Sequence, residues 1–193
     1  MKQEMIEEYL EKYNNYISLI EREGFEEFKE FLENKTDFLT KARASSRFHC
    51  SCDYGLFIHT VSMIEVALRL KRAYNVSNDE ISDESVILTC LIHDVGKIGM
   101  YKQNPPTPAQ QRYGYEGSWT INDEIPWMEH EIRSLYYARS VRLKPMEYAA
   151  IAYHNEPWNG NNFSRFRNNK LLTIIQNADY WSSNYLEDEN GIK

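Results

Sequence analysis

Apolar residues recur at helical spacing from the start of the chain. Met5, Ile6, Tyr9, Leu10, Tyr13, Tyr16, Ile17 and Ile20 form one stripe, and a period near 3.6 residues predicts an amphipathic helix. Gly24 interrupts the pattern, and Phe25, Phe28, Phe31 and Leu32 resume it. Residues 5–34 therefore predict one or two helices, and their aromatic stripe is packing surface. Residues 35–55 are polar and irregular, with Asp53, Tyr54 and Gly55 as a turn signal.

A second periodic run predicts a helix over residues 56–74, with Ile58, Val61, Ile64, Val66, Leu68 and Leu70 as its apolar positions. Residues 75–83 read as a loop in which Ser82 or Asp83 can cap the next helix. That helix, residues 84–94, is apolar on most sides (Val86, Ile87, Leu88, Leu91, Ile92) and should be the most buried, with Gly96 suited to its end. Residues 100–127 are the least helical. They contain Pro105, Pro106, Pro108, Gly114, Gly117 and Pro126, and residues 113–120 predict a short hairpin. A loop this long in a compact domain commonly acts as a lid or recognition element. Helices resume over 127–141 and 145–154, where Pro145 fits a first turn. Residues 155–169 form a second loop, and 170–186 the last helix.

The expected fold class is therefore all-α, a bundle of about six to eight helices in one domain spanning 1–193. The chain has 193 residues, 42% of them hydrophobic, enough for a core of its own. No stretch approaches the roughly 20 apolar residues of a membrane span, and the N-terminus lacks the apolar segment of a signal peptide. A cytoplasmic location without membrane attachment is the expectation. The net charge of −7 disfavours nucleic acid as a partner, since its binders usually carry a basic stripe. A small anionic substrate is compatible, because a metal and a few local cations can reverse the field inside a pocket. The three cysteines, Cys50, Cys52 and Cys90, have neither the count of a disulfide framework nor the spacing of a zinc knuckle.

Chemistry concentrates in His93 and Asp94, which close the most apolar helix, followed by Gly96 and Lys97. Adjacent helical residues diverge by about 100°, so two such ligands reach one ion only near the last turn. A lone His-Asp pair is weak evidence, because a histidine capping a helix C-terminus is a common alternative. The surroundings add weight. His59 follows Gly55, Leu56, Phe57 and Ile58 on the preceding helix, and Asp179 follows Asn177 and Ala178 on the last one.

In that order and helical placement, these residues resemble the HD-domain phosphohydrolase superfamily over residues 38–183, and the stretch from Phe38 through Phe48 and His49 to Thr60 looks like bacterial and phage-type members in particular. The resemblance divides the chain into an N-terminal helical extension, 1–37, and an HD core, 38–186. It implies metal ligation by His59, His93, Asp94 and Asp179. With His130 and His154 added, the sequence also resembles the superfamily's two-metal branch, which includes hydrolases of dinucleoside polyphosphates and cyclic dinucleotides and a few diiron oxygenases. Two ions some 3.5–4 Å apart would then share Asp94. His59, His93 and Asp179 would hold one, and His130 and His154 the other. The residues alone leave another reading open, in which His130 is a surface residue beside Glu129 and Glu131 and His154 caps a helix.

The implied cofactor is one or two divalent transition metals, Mn, Fe, Co, Ni or Zn. The implied reaction is hydrolysis of a phosphoester or phosphoanhydride in a nucleotide-like small molecule by metal-activated hydroxide. Asp94 and Lys97 are the catalytic candidates, and Lys97, Arg165 and Arg167 are candidates for gripping substrate phosphate. Arg43 and Arg47 are weaker ones. A 3′→5′ exonuclease acting on single-stranded nucleic acid and a diiron oxygenase are the alternatives. His49 falls outside the six-ligand pattern, with a substrate-side role and an ordinary polar role both open. Tyr101, Tyr113, Tyr115, Trp119, Trp127 and Trp158 enrich the two loops, either to stack on a base or to form a small core of their own.

Overall fold

The computed structural model describes residues 3–115, 117–156 and 168–186. Among these, eight α-helices and one two-stranded sheet account for the regular structure: α1 (Gln3–Ile17), α2 (Phe25–Lys35), α3 (Gly55–Ala73), α4 (Asp83–His93), β1 (Tyr101–Asn104), α5 (Pro108–Arg112), β2 (Ser118–Ile121), α6 (His130–Tyr137), α7 (Pro145–Tyr153) and α8 (Lys170–Trp181). A 3-10 turn, Val95–Lys97, follows α4, and a π-helical turn, Ser182–Leu186, continues α8. The all-α expectation holds. No described helix is long and apolar enough to cross a membrane.

Four helices close a ring. α3 packs against α4, α4 against α7, α7 against α8, and α8 back against α3, while α6 joins from outside through α7 and the 3-10 turn. The reason lies in the apolar content of α3 and α4. Every residue of α4 from Ser85 to His93 is buried, as is every residue of α3 from Gly55 to Ile64. A helix without a polar face must be covered on all sides. α1 and α2 contribute Tyr13, Phe25, Phe28 and Leu32 to the same core, where Tyr13 meets Phe57 edge-on with ring centroids 5.6 Å apart. Each such aromatic side chain taken from water is worth about 1.5–3 kcal/mol.

The helix ends are closed by short-range chemistry. Ser82 accepts a hydrogen bond from Ser85 N at 3.1 Å to start α4, and Asn169 does the same from Leu172 N at 3.1 Å for α8. α3 has no side-chain cap, and its first amides use the irregular lead-in: Gly55 N bonds to Cys52 O at 3.0 Å and Leu56 N to Ala42 O at 2.9 Å. A β-carbon on Gly55 would stand 1.9 Å from Cys50 O, so only glycine lets that loop lie so close to α3.

The 100–127 region differs from its sequence reading. The hairpin pairs Tyr101 with Ile121 and Asn104 with Ser118, antiparallel, rather than folding within residues 113–120. α5 occupies its tip, started by Pro108 and a reciprocal Thr107–Gln110 cap. Residues 125–129 belong to no helix, so α6 begins at His130 and not at 127. The late start matters for the site, because it makes His130 a helix-opening residue.

Candidate metal centre

The ring brings six side chains to one place. His59 comes from the second turn of α3, His93 from the last position of α4, Asp94 from its C-cap, His130 from the first position of α6, His154 from the C-cap of α7, and Asp179 from α8. His59, His93, Asp94, His130 and His154 are all buried, and Asp179 keeps 27% of its side chain exposed. Four buried histidines in a core need a chemical explanation, since burial disfavours their charged forms and leaves polar nitrogens to satisfy.

Asp94 organises the group. Its Oδ2 lies 3.4 Å from His93 Nε2 and 3.7 Å from His59 Nε2, while its Oδ1 lies 3.1 Å from His130 Nε2 and 3.5 Å from His154 Nε2. One carboxylate thus turns an oxygen toward each of two histidine pairs. Within the pairs, Nε2 of His59 and His93 are 3.3 Å apart, as are Nε2 of His130 and His154. Asp179 Oδ1 completes the first pair, 3.3 Å from His59 Nε2.

The outer hydrogen bonds select the tautomers. His93 Nδ1 is 2.6 Å from Cys90 O, and His154 Nδ1 is 2.8 Å from Ile151 O. A carbonyl only accepts, so both Nδ1 atoms carry hydrogen, and in the neutral rings each Nε2 turns a lone pair inward. Lone pairs and carboxylate oxygens therefore converge, and Asp94 Oδ1, although buried, accepts no well-formed hydrogen bond. Acceptors facing acceptors form the donor set of a borderline divalent cation. The residues fit such an ion in three overlapping groups: His59, His93 and Asp179 offer ligand atoms within 4.8 Å of one another, as do His93, Asp94 and His154, and His130, Glu131 and His154.

The charges respond accordingly. Burial pushes the Asp94 carboxyl up, but Lys97, His93, His130 and His154 outweigh it and hold the group well below the carboxylate range. Burial also opposes ionisation of Asp179, and hydrogen bonding and charge from His59 overcome it, so this carboxyl too sits low. His93 is pushed down by its burial. His154 is raised despite burial, because the nearby carboxylates of Asp94 and Asp179 favour its charged form. Lys97, whose Nζ bonds Asp94 Oδ2 at 2.6 Å, is raised against its burial by Asp94 and Asp179.

Two supports were not apparent from sequence. Ser134 Oγ, one turn after His130, donates to His93 O and accepts from Gly96 N, both at 2.8 Å. The sequence signal for it is faint, a small hydroxyl on the inner face of a short helix. Gly96, expected only as a helix terminator, also allows a close approach, for a β-carbon there would stand 1.9 Å from His130 O. His49 lies outside the six, its ring 5.1 Å from that of His59. Arg165, Arg167 and Trp158 lie outside the described residues.

A helical ring thus surrounds a buried His/Asp cluster whose side chains come from five helices or their ends and could hold a metal ion. The model of the HD domain matches residues 56–184, more than half of the chain, and the chain belongs to that family. Its members are generally metal-dependent hydrolases. No curated protein and no solved structure gives a significant match.

Proposed function

We propose that this protein hydrolyses a phosphoester or phosphoanhydride bond in a nucleotide-like small molecule, using two divalent transition-metal ions. His59, His93 and Asp179 would hold one ion, His130 and His154 the other, and Asp94 both. The observation that carries this reading is the division of Asp94: its two oxygens address two separate histidine pairs, which a single ion would not require. Bound there, the metals supply Lewis acidity, polarising a phosphoryl oxygen and acidifying water.

The protein's own groups do the rest. His93 and His154 keep their Nε2 lone pairs aimed inward because backbone carbonyls hold their Nδ1 hydrogens. Lys97 balances Asp94 and stands at the site with 15% of its side chain exposed, able to exchange part of that contact for a substrate phosphate. Asp179, Lys97 and His130 are the groups of the centre whose side chains water still reaches, so substrate enters on their side. The acidic surface, with net charge −7, favours a small substrate over a polymer.

Metal content of the purified protein tests the reading. Near two equivalents are expected, falling toward one in both His130→Ala and His154→Ala. One equivalent, unchanged in both variants, would overturn the two-ion assignment. A panel of cyclic dinucleotides, dinucleoside polyphosphates, nucleotides and a single-stranded oligonucleotide then identifies the substrate class. Preferential turnover of the oligonucleotide would replace the small-molecule reading with an exonuclease.

A further inference from the structure

We infer that Arg43, stacked on Trp119, is a second anion site, which takes a phosphate of the substrate other than the one being cleaved. This rests on the phosphohydrolase reading of the metal centre. The guanidinium lies 3.7 Å from the Trp119 ring centroid and donates through Nη1 to Ser51 O. Its Nε is buried without an acceptor, and among the described residues no carboxylate lies within ion-pair distance of it. Burial lowers its pKa, and Asp53 and Cys52 offset this only from longer range. A partly buried cation without a counter-ion is costly to hold. A planar guanidinium fixed against an indole presents its remaining N–H groups in the fork that suits phosphate.

Its position connects it to the centre. The register of the hairpin, Tyr101 with Ile121 and Gln103 with Trp119, puts Tyr101 and Trp119 on the same face, since cross-strand partners share a side. Met100 N bonds Lys97 O at 2.9 Å, which holds the start of the strand that carries Tyr101 against the turn after Asp94. Trp119 is one pleat repeat further along, about 7 Å. From the other direction, the loop that carries Arg43 also carries His49, whose ring sits 5.1 Å from His59. One hairpin face and one loop therefore run from the metal centre to Arg43. A substrate with a single phosphate has no use for that cation, whereas a dinucleotide or nucleoside polyphosphate does.

The test is a titration of metal-free protein with orthophosphate, followed by tryptophan fluorescence. Leaving metal out makes the result independent of whether the two-ion assignment stands. The expected result is a saturable change in the wild type that is absent in Trp119→Phe and shifted at least tenfold to higher phosphate in Arg43→Gln. Arg43→Lys, which keeps the charge but not the fork, should fall between. In the metal-loaded enzyme, Arg43→Gln should raise KM at least tenfold for whichever oligophosphate or dinucleotide is turned over, with kcat changing by less than about twofold. A wild-type fluorescence signal indistinguishable from that of Trp119→Phe would overturn the proposal even if Arg43→Gln folds poorly. So would an unchanged KM in a folded Arg43→Gln.

Discussion

Ser134 Oγ donates to the carbonyl of His93 at 2.8 Å, so a side chain on α6 is fastened to the residue that ends α4. The same oxygen accepts from Gly96 N at 2.8 Å. Both contacts are buried, and together they fix the helix that opens with His130 against the turn that carries Asp94. That hydroxyl therefore helps to set the spacing between the two histidine pairs.

Ser134→Ala would leave a buried N–H and a buried C=O without their partner. Each orphaned group costs about 1–3 kcal/mol, so urea denaturation should show a loss of that order. Metal titration should show weaker binding at the His130 side, by roughly 10–100-fold if the hydroxyl acts as outer-shell partners of ligands do. Ser134→Thr, which keeps the oxygen, should recover most of both.

Gly96→Ala places a methyl group where His130 O now stands, at 1.9 Å. Backbone cannot yield as a side-chain tip does, so α6 must move outward and take His130 with it. Metal analysis should give one equivalent fewer than wild type, with the His59, His93 and Asp179 side still loaded. A variant that keeps its full metal content would contradict this coupling.

Arg22 grips Glu147 through both carboxylate oxygens, at 2.7 and 3.0 Å, and Glu84 at 3.0 Å. The Glu147 side chain has no exposure and also accepts from Lys144 N at 2.6 Å. Arg22→Met would strand that carboxylate in the interior, a change that typically costs about 3–5 kcal/mol. Adding Glu147→Gln should restore much of the loss. Additive destabilisation in the double variant would show that the pair is not coupled.

Tyr13 is buried beside Glu33, with its hydroxyl 3.2 Å from Glu33 Oε1, and burial followed by that negative charge pushes its pKa well up. The folded protein therefore resists ionising it, whereas the unfolded chain loses the proton near pH 10. The stability associated with the neutral form is complete below about pH 10 and is lost as pH rises toward the folded value, at up to about 1.4 kcal/mol per pH unit. Tyr9, Tyr16 and Tyr101 are also raised by burial. Tyr13→Phe should accordingly make alkaline destabilisation shallower by one proton's worth without abolishing it.

Much of the architecture is legible from local chemistry. The 3.6-residue stripes of α1 to α3, the apolar run of α4, the Ser82 cap and Pro145 at the start of α7 are each decided by nearest neighbours along the chain, so they can be read one residue at a time. The family is legible as well, because His59, His93, Asp94 and Asp179 fall at recognisable places on successive helices. The hairpin register, the late start of α6 and the roles of Ser134, Gly96 and Arg43 are decided elsewhere, by contacts between segments tens of residues apart.

The sequence by itself therefore determined the main helices and which residue types could hold a metal, since propensity, capping and ligand chemistry are local properties. The family resemblance implied that Asp94 is shared, but which of its oxygens faces which histidine pair is settled only once α3, α4, α7 and α8 close their ring and α6 docks on the turn after His93. Apolar burial drives that closure, and burial is a property of the assembled core.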